Sequence, residues 1–201
     1  MKIIVDAMGG DNAPLEIVKG ALQAQKRFGA AIVFTGDEAA ILDAVRACGL
    51  TDLPDGAAVI PATETVEMCD DPATVFRRKK DTSMGVGLTL LKNGGGDAMV
   101  SAGSTGALLT GATLITKRIH GIRRAAMAPQ IPTKTGREAV LIDCGATADC
   151  TPEFLLQFAF MGSYYAEKVL GIENPRVALL NIGAEDSKGG ELQKAVYPLL
   201  K

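Results

Sequence analysis

The chain has 201 residues, enough for one large domain or two small ones, and 47% of them are apolar, enough for a substantial buried core. Its 21 basic and 23 acidic residues nearly cancel, to a net charge of −2, which argues against bulk electrostatic binding of nucleic acid. No apolar run approaches the roughly 20 residues that span a bilayer, and the run before Asp6 is too short for a signal-peptide core, so a cytoplasmic protein is expected.

Ile3–Val5 is the first short apolar run. After Asn12 and Pro14, Leu15, Val18, Ala21, Leu22 and Phe28 recur at helical spacing. A second run, Ala31–Phe34, is followed by Asp37 and a second helical pattern, Ile41, Ala44, Val45 and Cys48. The third run is Ala57–Ile60. A long polar stretch, Pro61–Lys80, then ends in four adjacent cations, Arg77, Arg78, Lys79 and Lys80. The fourth run, Ala98–Val100, leads into SAGSTGA, which opens a helix; Lys117–Arg137 is rich in Arg, Lys, Pro and Gly. After the fifth run, Ala139–Ile142, Thr151 caps and Pro152 begins a helix that carries Phe154, Leu155, Phe158, Met161, Tyr165 and Val169 and stops at Gly171. The sixth run, Val177–Leu180, precedes an amphipathic stretch through Leu192, Ala195, Val196 and Leu199.

None of the six runs alternates apolar with polar residues, the pattern of strands buried on both faces of a parallel sheet. Strands alternating with helices predict an α/β fold, an open doubly wound, mostly parallel sheet, with residues 1–201 as a single domain. No strand follows the last helix, so the chain is expected to be C-terminally truncated.

In such sheets ligands bind beyond the carboxyl ends of the strands. The turns at those ends are DAMGGDNAP (6–14), TGDE (35–38), PATE (61–64), SAGSTGA (101–107), DCGATAD (143–149) and NIGAEDSKGG (181–190). SAGSTGA suits phosphate through close backbone approach, helix N–H groups and the hydroxyls of Ser101, Ser104 and Thr105; it reads equally well as a tight turn capped by Ser104 or Thr105. It lacks the G-K-[ST] of a Walker A loop, and DAMGGD lacks dinucleotide-fingerprint spacing. The run Arg77–Lys80 with Ser83 reads as an anion site or as a solvated face. Asp6, Asp11, Asp143 and Asp149 are expected to form turns rather than hold a metal. His120, the only histidine, lies in a second basic cluster with Lys117, Arg118, Arg123 and Arg124, away from any acid-rich turn, which argues against a Ser-His-Asp triad. No C-x-x-C pair exists among Cys48, Cys69, Cys144 and Cys150, so buried reduced thiols are expected.

VDAMGGDNAP, DPATVFRRKKDTSM, SAGSTGALL, APQIPT, LIDCGATADCTPEFLLQFAFMGSYY and RVALLNIGAEDSKGGEL occur in this order and together resemble the phosphate acyltransferase family called PlsX, over essentially the whole chain. The resemblance implies a fold like the isocitrate and isopropylmalate dehydrogenases and a homodimer. It implies transfer of a fatty acyl group from acyl carrier protein to inorganic phosphate, giving acyl phosphate for phospholipid synthesis and feeding a downstream glycerol-3-phosphate acyltransferase. It also implies peripheral contact with the inner face of the membrane through a C-terminal part absent here. One departure is Gly145-Ala146-Thr147, where the family reads G-A-N. The expected site has Arg78, Lys79, Ser104 and Asp143 as catalytic groups. Asp6, Gly9, Gly10, Lys80, Ser83, Gly103, Thr105, Gly106, Gly145, Thr147, Asn181 and Lys188 are expected to bind substrate, with no metal and no cofactor. Lys117–Arg124 is expected to dock the acidic carrier protein. The alternatives are a phosphotransacetylase acting on acyl-coenzyme A and a non-catalytic fragment that only binds anions; a metal- and NAD-dependent dehydrogenase has no fingerprint here.

Overall fold

The strand β1 (Lys2–Asp6) lies at the heart of a four-stranded sheet of order β3-β2-β1-β4, in which β2 is Ala31–Gly36, β3 Ala57–Pro61 and β4 Ala98–Val100. Every pairing is parallel: Ile4 is in register with Val33 and with Met99, and Phe34 with Val59. The structure is a computed structural model and describes residues 1–183, 185 and 188–201. Two units are distinguished, Met1–Lys117 and Arg118–Lys201.

In the first unit, helices α1 (Leu15–Phe28) and α2 (Glu38–Ala47) cover one face of the sheet. Val18, Ala21, Ile41, Ala44 and Val45 bury against Val5, Ile32 and Phe34. Gly29 ends α1 in the left-handed region, φ 66°, and donates its N–H to Gln25 O, a common helix stop. Asp37 caps α2 by accepting the Ala40 N–H at 3.1 Å. The other face carries α4 (Ser83–Lys92), which follows the single turn α3 (Val75–Arg78). Gly87 of α4 lets the helix sit close: a Cβ there would lie 2.8 Å from Met99 Cε and 3.3 Å from Ile4 Cγ2. Val66, Val75, Met84, Leu88 and Ala107 form a second core cluster. Sheet residues of opposite parity thus face helices on opposite sides, which is why β1 and β2 read as unbroken apolar runs. After β4, α5 (Thr105–Gly111) runs on into a wider π turn, Ala112–Thr116.

The second unit departs from expectation. Ala139–Ile142 is not a fifth parallel strand: β6 (Glu138–Val140) pairs antiparallel with β5 (Gln130–Pro132) in a separate two-stranded ribbon. The reason is the turn between them. Thr133 N donates to Arg137 O at 2.9 Å, and Gly136, at φ 74°, donates to Thr133 O. A connection this short returns the chain beside itself, whereas a parallel neighbour requires a crossover of a dozen residues or more. Val177–Leu180 forms no strand, and Leu180 is 81% exposed, because no strand lies beside it among the described residues. The helix α6 (Pro152–Lys168) begins as expected, with Thr151 Oγ1 accepting the Phe154 N–H at 3.3 Å, and α7 (Glu191–Leu200) packs on it.

All four thiols are unpaired, but they are not buried: Cys69 and Cys144 are exposed, and Cys48 and Cys150 are half-buried. No helix among the described residues is long and apolar enough to cross a membrane.

Candidate active site

Strand order 3-2-1-4 reverses direction between β1 and β4, and the crevice at the carboxyl ends of that strand pair is the favoured ligand position in an open α/β sheet. β1 ends in Asp6, which is 1% exposed. β4 leads to Ser101 one residue beyond its end. Parallel register brings these two together: the Ser101 hydroxyl donates to Asp6 Oδ2 at 2.6 Å, a short charge-assisted bond. Gly103 N in turn donates to Ser101 Oγ at 3.1 Å. Asp6 Oδ1 is buried and has no hydrogen-bond partner among the described residues.

Gly9 lies against this cluster. A Cβ on it would be 2.7 Å from Asp6 Oδ2 and 2.9 Å from both Gly103 N and Ser101 Oγ, so no side chain fits. Gly10 sits at φ 118°, beside Ala102. The turns 6–10 and 101–106 are therefore one structure. Ser104, only 7% exposed, caps α5 by accepting the Ala107 N–H at 3.4 Å, which leaves its own O–H as a donor. Thr105 is exposed, and Gly106 lies close enough to Pro72 that a Cβ would be 3.0 Å from its Cγ. Asp6, Gly9, Gly10, Gly103, Ser104, Thr105 and Gly106 thus fall on two adjoining turns. Ser101, read from the sequence only as one hydroxyl among several, ties the two turns together.

The basic run is divided by its surroundings. Lys79 Nζ donates to Asp70 Oδ2 at 2.6 Å and to Thr65 O at 2.9 Å. That contact raises the Lys79 pKa above its ordinary value and, chiefly through the same hydrogen bond, lowers that of Asp70. Arg78, 62% exposed, makes only a 3.4 Å contact with Asp70 Oδ1, and Lys80 is exposed. Ser83 opens α4; its hydroxyl is buried without a partner among the described residues, while Thr82 caps the helix through Gly85 N at 3.0 Å. Asp81 accepts both the hydroxyl and the N–H of Thr63, which hold its carboxyl below the usual range.

These shifts fix a sign. A carboxylate with a depressed folded pKa adds stability above its unfolded value, and loses it as pH falls through the folded value. Asp70, Asp71 and Asp81 are all held below the ordinary carboxylate value, so segment 61–83 should keep its order down to about pH 4, where the unfolded carboxylates titrate, and loosen below it. Lys79→Ala is expected to lower the melting temperature at neutral pH, and the difference from the parent should close as acid protonates Asp70. Arg78→Ala should instead leave the melting temperature unchanged and cut kcat/KM in the intact protein about tenfold, the usual cost of one charge-assisted contact. Thermal melts from pH 2 to 8, with kinetics at neutral pH, check both.

In the second unit, Asp143 spends both oxygens on backbone: Oδ1 accepts Met127 N and Oδ2 accepts Thr147 N, each at 2.8 Å. Gly145 lies between, at φ 106°, and Thr147 Oγ1 accepts Arg124 Nε at 2.9 Å. Arg123 is used internally as well, with Glu153 Oε2 at 2.8 Å and with Gln157. Burial pushes the Cys150 thiol up, which disfavours its nucleophilic form. Asn181 bridges its own turn, donating to Lys188 O at 3.1 Å and accepting from Ile182 N, while Lys188 is exposed. These two line a pocket of about 300 Å³ with Val177, Gln193 and Tyr197. Residues 184, 186 and 187 of the expected turn 181–190 lie outside the described residues. Among the described residues no three His, Cys, Asp or Glu side chains gather as a metal set.

The family model described as "Fatty acid synthesis protein" matches residues 1–201. Among curated relatives, the chain is 49% identical to a phosphate acyltransferase of Desulfitobacterium hafniense, 47% to one of Thermoanaerobacterium thermosaccharolyticum and 46% to one of Brevibacillus brevis, in each case over 100% of this chain. The chain spans 58–59% of the length of these relatives. Among solved structures, a phosphotransacetylase from Streptococcus pyogenes is similar at a TM-score of 0.71 and 20% identity, covering 99% of this chain and 65% of that one; this likeness concerns the fold.

Proposed function

The chain belongs to the fatty acid synthesis protein family, and on that premise we propose that it is the N-terminal part, residues 1–201 as one α/β domain, of an enzyme that moves a fatty acyl group from acyl carrier protein to inorganic phosphate. The observation that carries this reading is the double turn at the switch point, where Gly9 and Gly103 meet Asp6 and Ser101 and the chain runs directly on into the Ser104–Thr105 helix start. Phosphate is already anionic near neutrality, and a thiol with a pKa of about 8.5 leaves without much acid help. The phosphate oxygen attacks the thioester carbonyl carbon, the oxyanion collapses, the C–S bond breaks and the thiolate departs with acyl phosphate formed. Such a reaction mainly needs the phosphate held near the carbonyl and the developing charge met by N–H groups and cations. Backbone donors of the 101–106 turn, the Ser104 and Thr105 hydroxyls and the exposed Arg78 and Lys80 suit that task. Lys79 and Asp143 suit it less, because their charges are already answered within the chain.

The reading extends to a homodimer in the cytoplasm, touching the membrane peripherally, whose product feeds a glycerol-3-phosphate acyltransferase. For docking the acidic carrier protein, Lys117 is better placed than Arg118, Arg123 and Arg124, whose side chains bind Arg123 O, Glu153 and Thr147.

The test uses the full-length protein. Ser104→Ala with Thr105→Ala is expected to raise the apparent KM for phosphate about tenfold or more, since hydrogen bonds to a charged group contribute roughly 1.5–3 kcal/mol each. Unchanged phosphate dependence removes the assignment. Rates with acyl carrier protein against coenzyme A thioesters separate this reaction from a phosphotransacetylase, and absence of acyl phosphate altogether would leave only anion binding.

A further inference from the structure

Asp6, which ends β1, is built differently from Asp143, which follows β6. Asp143 gives both carboxylate oxygens to backbone N–H groups and so fixes its turn. Asp6 Oδ2 takes the Ser101 hydroxyl at 2.6 Å, yet Oδ1 is buried with no donor among the described residues. The residue is 1% exposed, so solvent does not answer that oxygen. A carboxylate only accepts hydrogen bonds, and an unanswered one is costly to bury. Keeping Asp6 at the centre of an anion site is also puzzling, because it repels any anion that offers nothing but lone pairs.

Both difficulties are met by a ligand that carries its own proton. Resting on the phosphate reading above, we propose that Asp6 is a specificity-determining residue: its unpaired oxygen accepts the remaining O–H of hydrogen phosphate, so that the site selects a protonated oxyanion over a fully deprotonated one of the same shape. Ser101 holds the other oxygen, and it also accepts Gly103 N, which couples the carboxylate to the turn expected to hold the anion. Gly9 and Gly103 put no side chain between the carboxylate and that turn: a Cβ on Gly103 would already lie 3.2 Å from Gly9 Cα and 3.3 Å from Ser101 Oγ. Sulfate is the matching discriminator, a tetrahedral dianion with no proton near neutral pH. A site that hydrogen-bonds a ligand O–H rejects the analogue lacking it strongly, by about 10⁴-fold in favourable cases, because its own buried group is left unpaired.

The experiment is titration calorimetry of the full-length protein at pH 7 with inorganic phosphate and with sulfate. Phosphate is expected to bind the parent at least about a hundredfold more tightly than sulfate. Asp6→Asn should weaken phosphate about tenfold or more and bring the two anions to within about tenfold of each other, because an amide N–H can serve either. Sulfate binding the parent within tenfold of phosphate overturns the inference without recourse to any variant. So does a phosphate-to-sulfate ratio that Asp6→Asn leaves unchanged. If phosphate is weakened by Ser104→Ala with Thr105→Ala while that ratio stays flat, only this inference fails. If the parent binds neither anion, the phosphate reading fails and takes this one with it.

Discussion

Gly9→Ala in the full-length protein is expected to cut kcat/KM by about a hundredfold and to lower the melting temperature by several degrees. The added methyl group would meet Asp6 Oδ2, Gly103 N and Ser101 Oγ at once, at 2.7–2.9 Å. None of the three is the far end of a flexible side chain. One is backbone, and the other two are held by the 2.6 Å bond that joins the strand ends. Relief therefore requires the 6–10 and 101–106 turns to part. Overpacking of this kind costs about 1–3 kcal/mol, and about 1 kcal/mol moves the midpoint of a chain this size by roughly 2–4 °C. The functional loss should be the larger effect, because displacing a positioning turn by about 1 Å can cost 10²-fold in rate. Gly20→Ala is the control: nothing lies within 4 Å of a Cβ there, and α1 should if anything gain stability. Parallel losses in both variants would show that the Gly9 effect is not steric.

The first unit was largely legible in the sequence because each of its signals is local and mutually consistent. β1 to β4 hold unbroken apolar runs, and the helices after β2 and β4 have readable caps at Asp37 and Ser104. The second unit was misread where the same signal has two outcomes. An apolar run such as Ala139–Ile142 does not declare its partner. The turn Thr133–Gly136 does, but in the sequence it lies within a basic, glycine- and proline-rich stretch. Val177–Leu180 has the composition of a strand but no ladder beside it among the described residues. For the site, glycines and hydroxyls were visible, whereas their pairing was not. Ser101 and Asp6 are 95 residues apart, and only the parallel register of β1 with β4 makes them neighbours. Charge was the weakest guide. Four adjacent cations look alike in sequence, yet Lys79 is tied to an aspartate nine positions back while Arg78 stays largely in solvent.

That lesson applies with most force to Asp143, placed among the expected catalytic groups although its position in a turn reads as that of a turn former. Its carboxylate is held by Met127 N and Thr147 N, one on each oxygen, so it closes the loop between residues 127 and 147. Thr147 in turn receives Arg124, which extends the same support. Asp143→Ala would leave two backbone N–H groups without an acceptor. Complete burial would cost about 1–3 kcal/mol for each; at this half-buried position water recovers part of it, and a total of about 1–2 kcal/mol is expected, or roughly 2–8 °C in melting temperature. Asp143→Asn keeps one acceptor and should lose about half as much. In both variants kcat/KM of the full-length protein, measured well below the midpoint, should stay within about threefold of the parent. A general acid or base would behave in the opposite way, since its removal costs typically 10²–10⁴-fold in rate. Thermal melts and initial rates on the same samples decide the matter. A hundredfold loss of rate with an unmoved melting temperature would return Asp143 to the chemistry, and a graded fall in melting temperature, alanine below asparagine below parent with rates preserved, would establish it as the clasp of its loop.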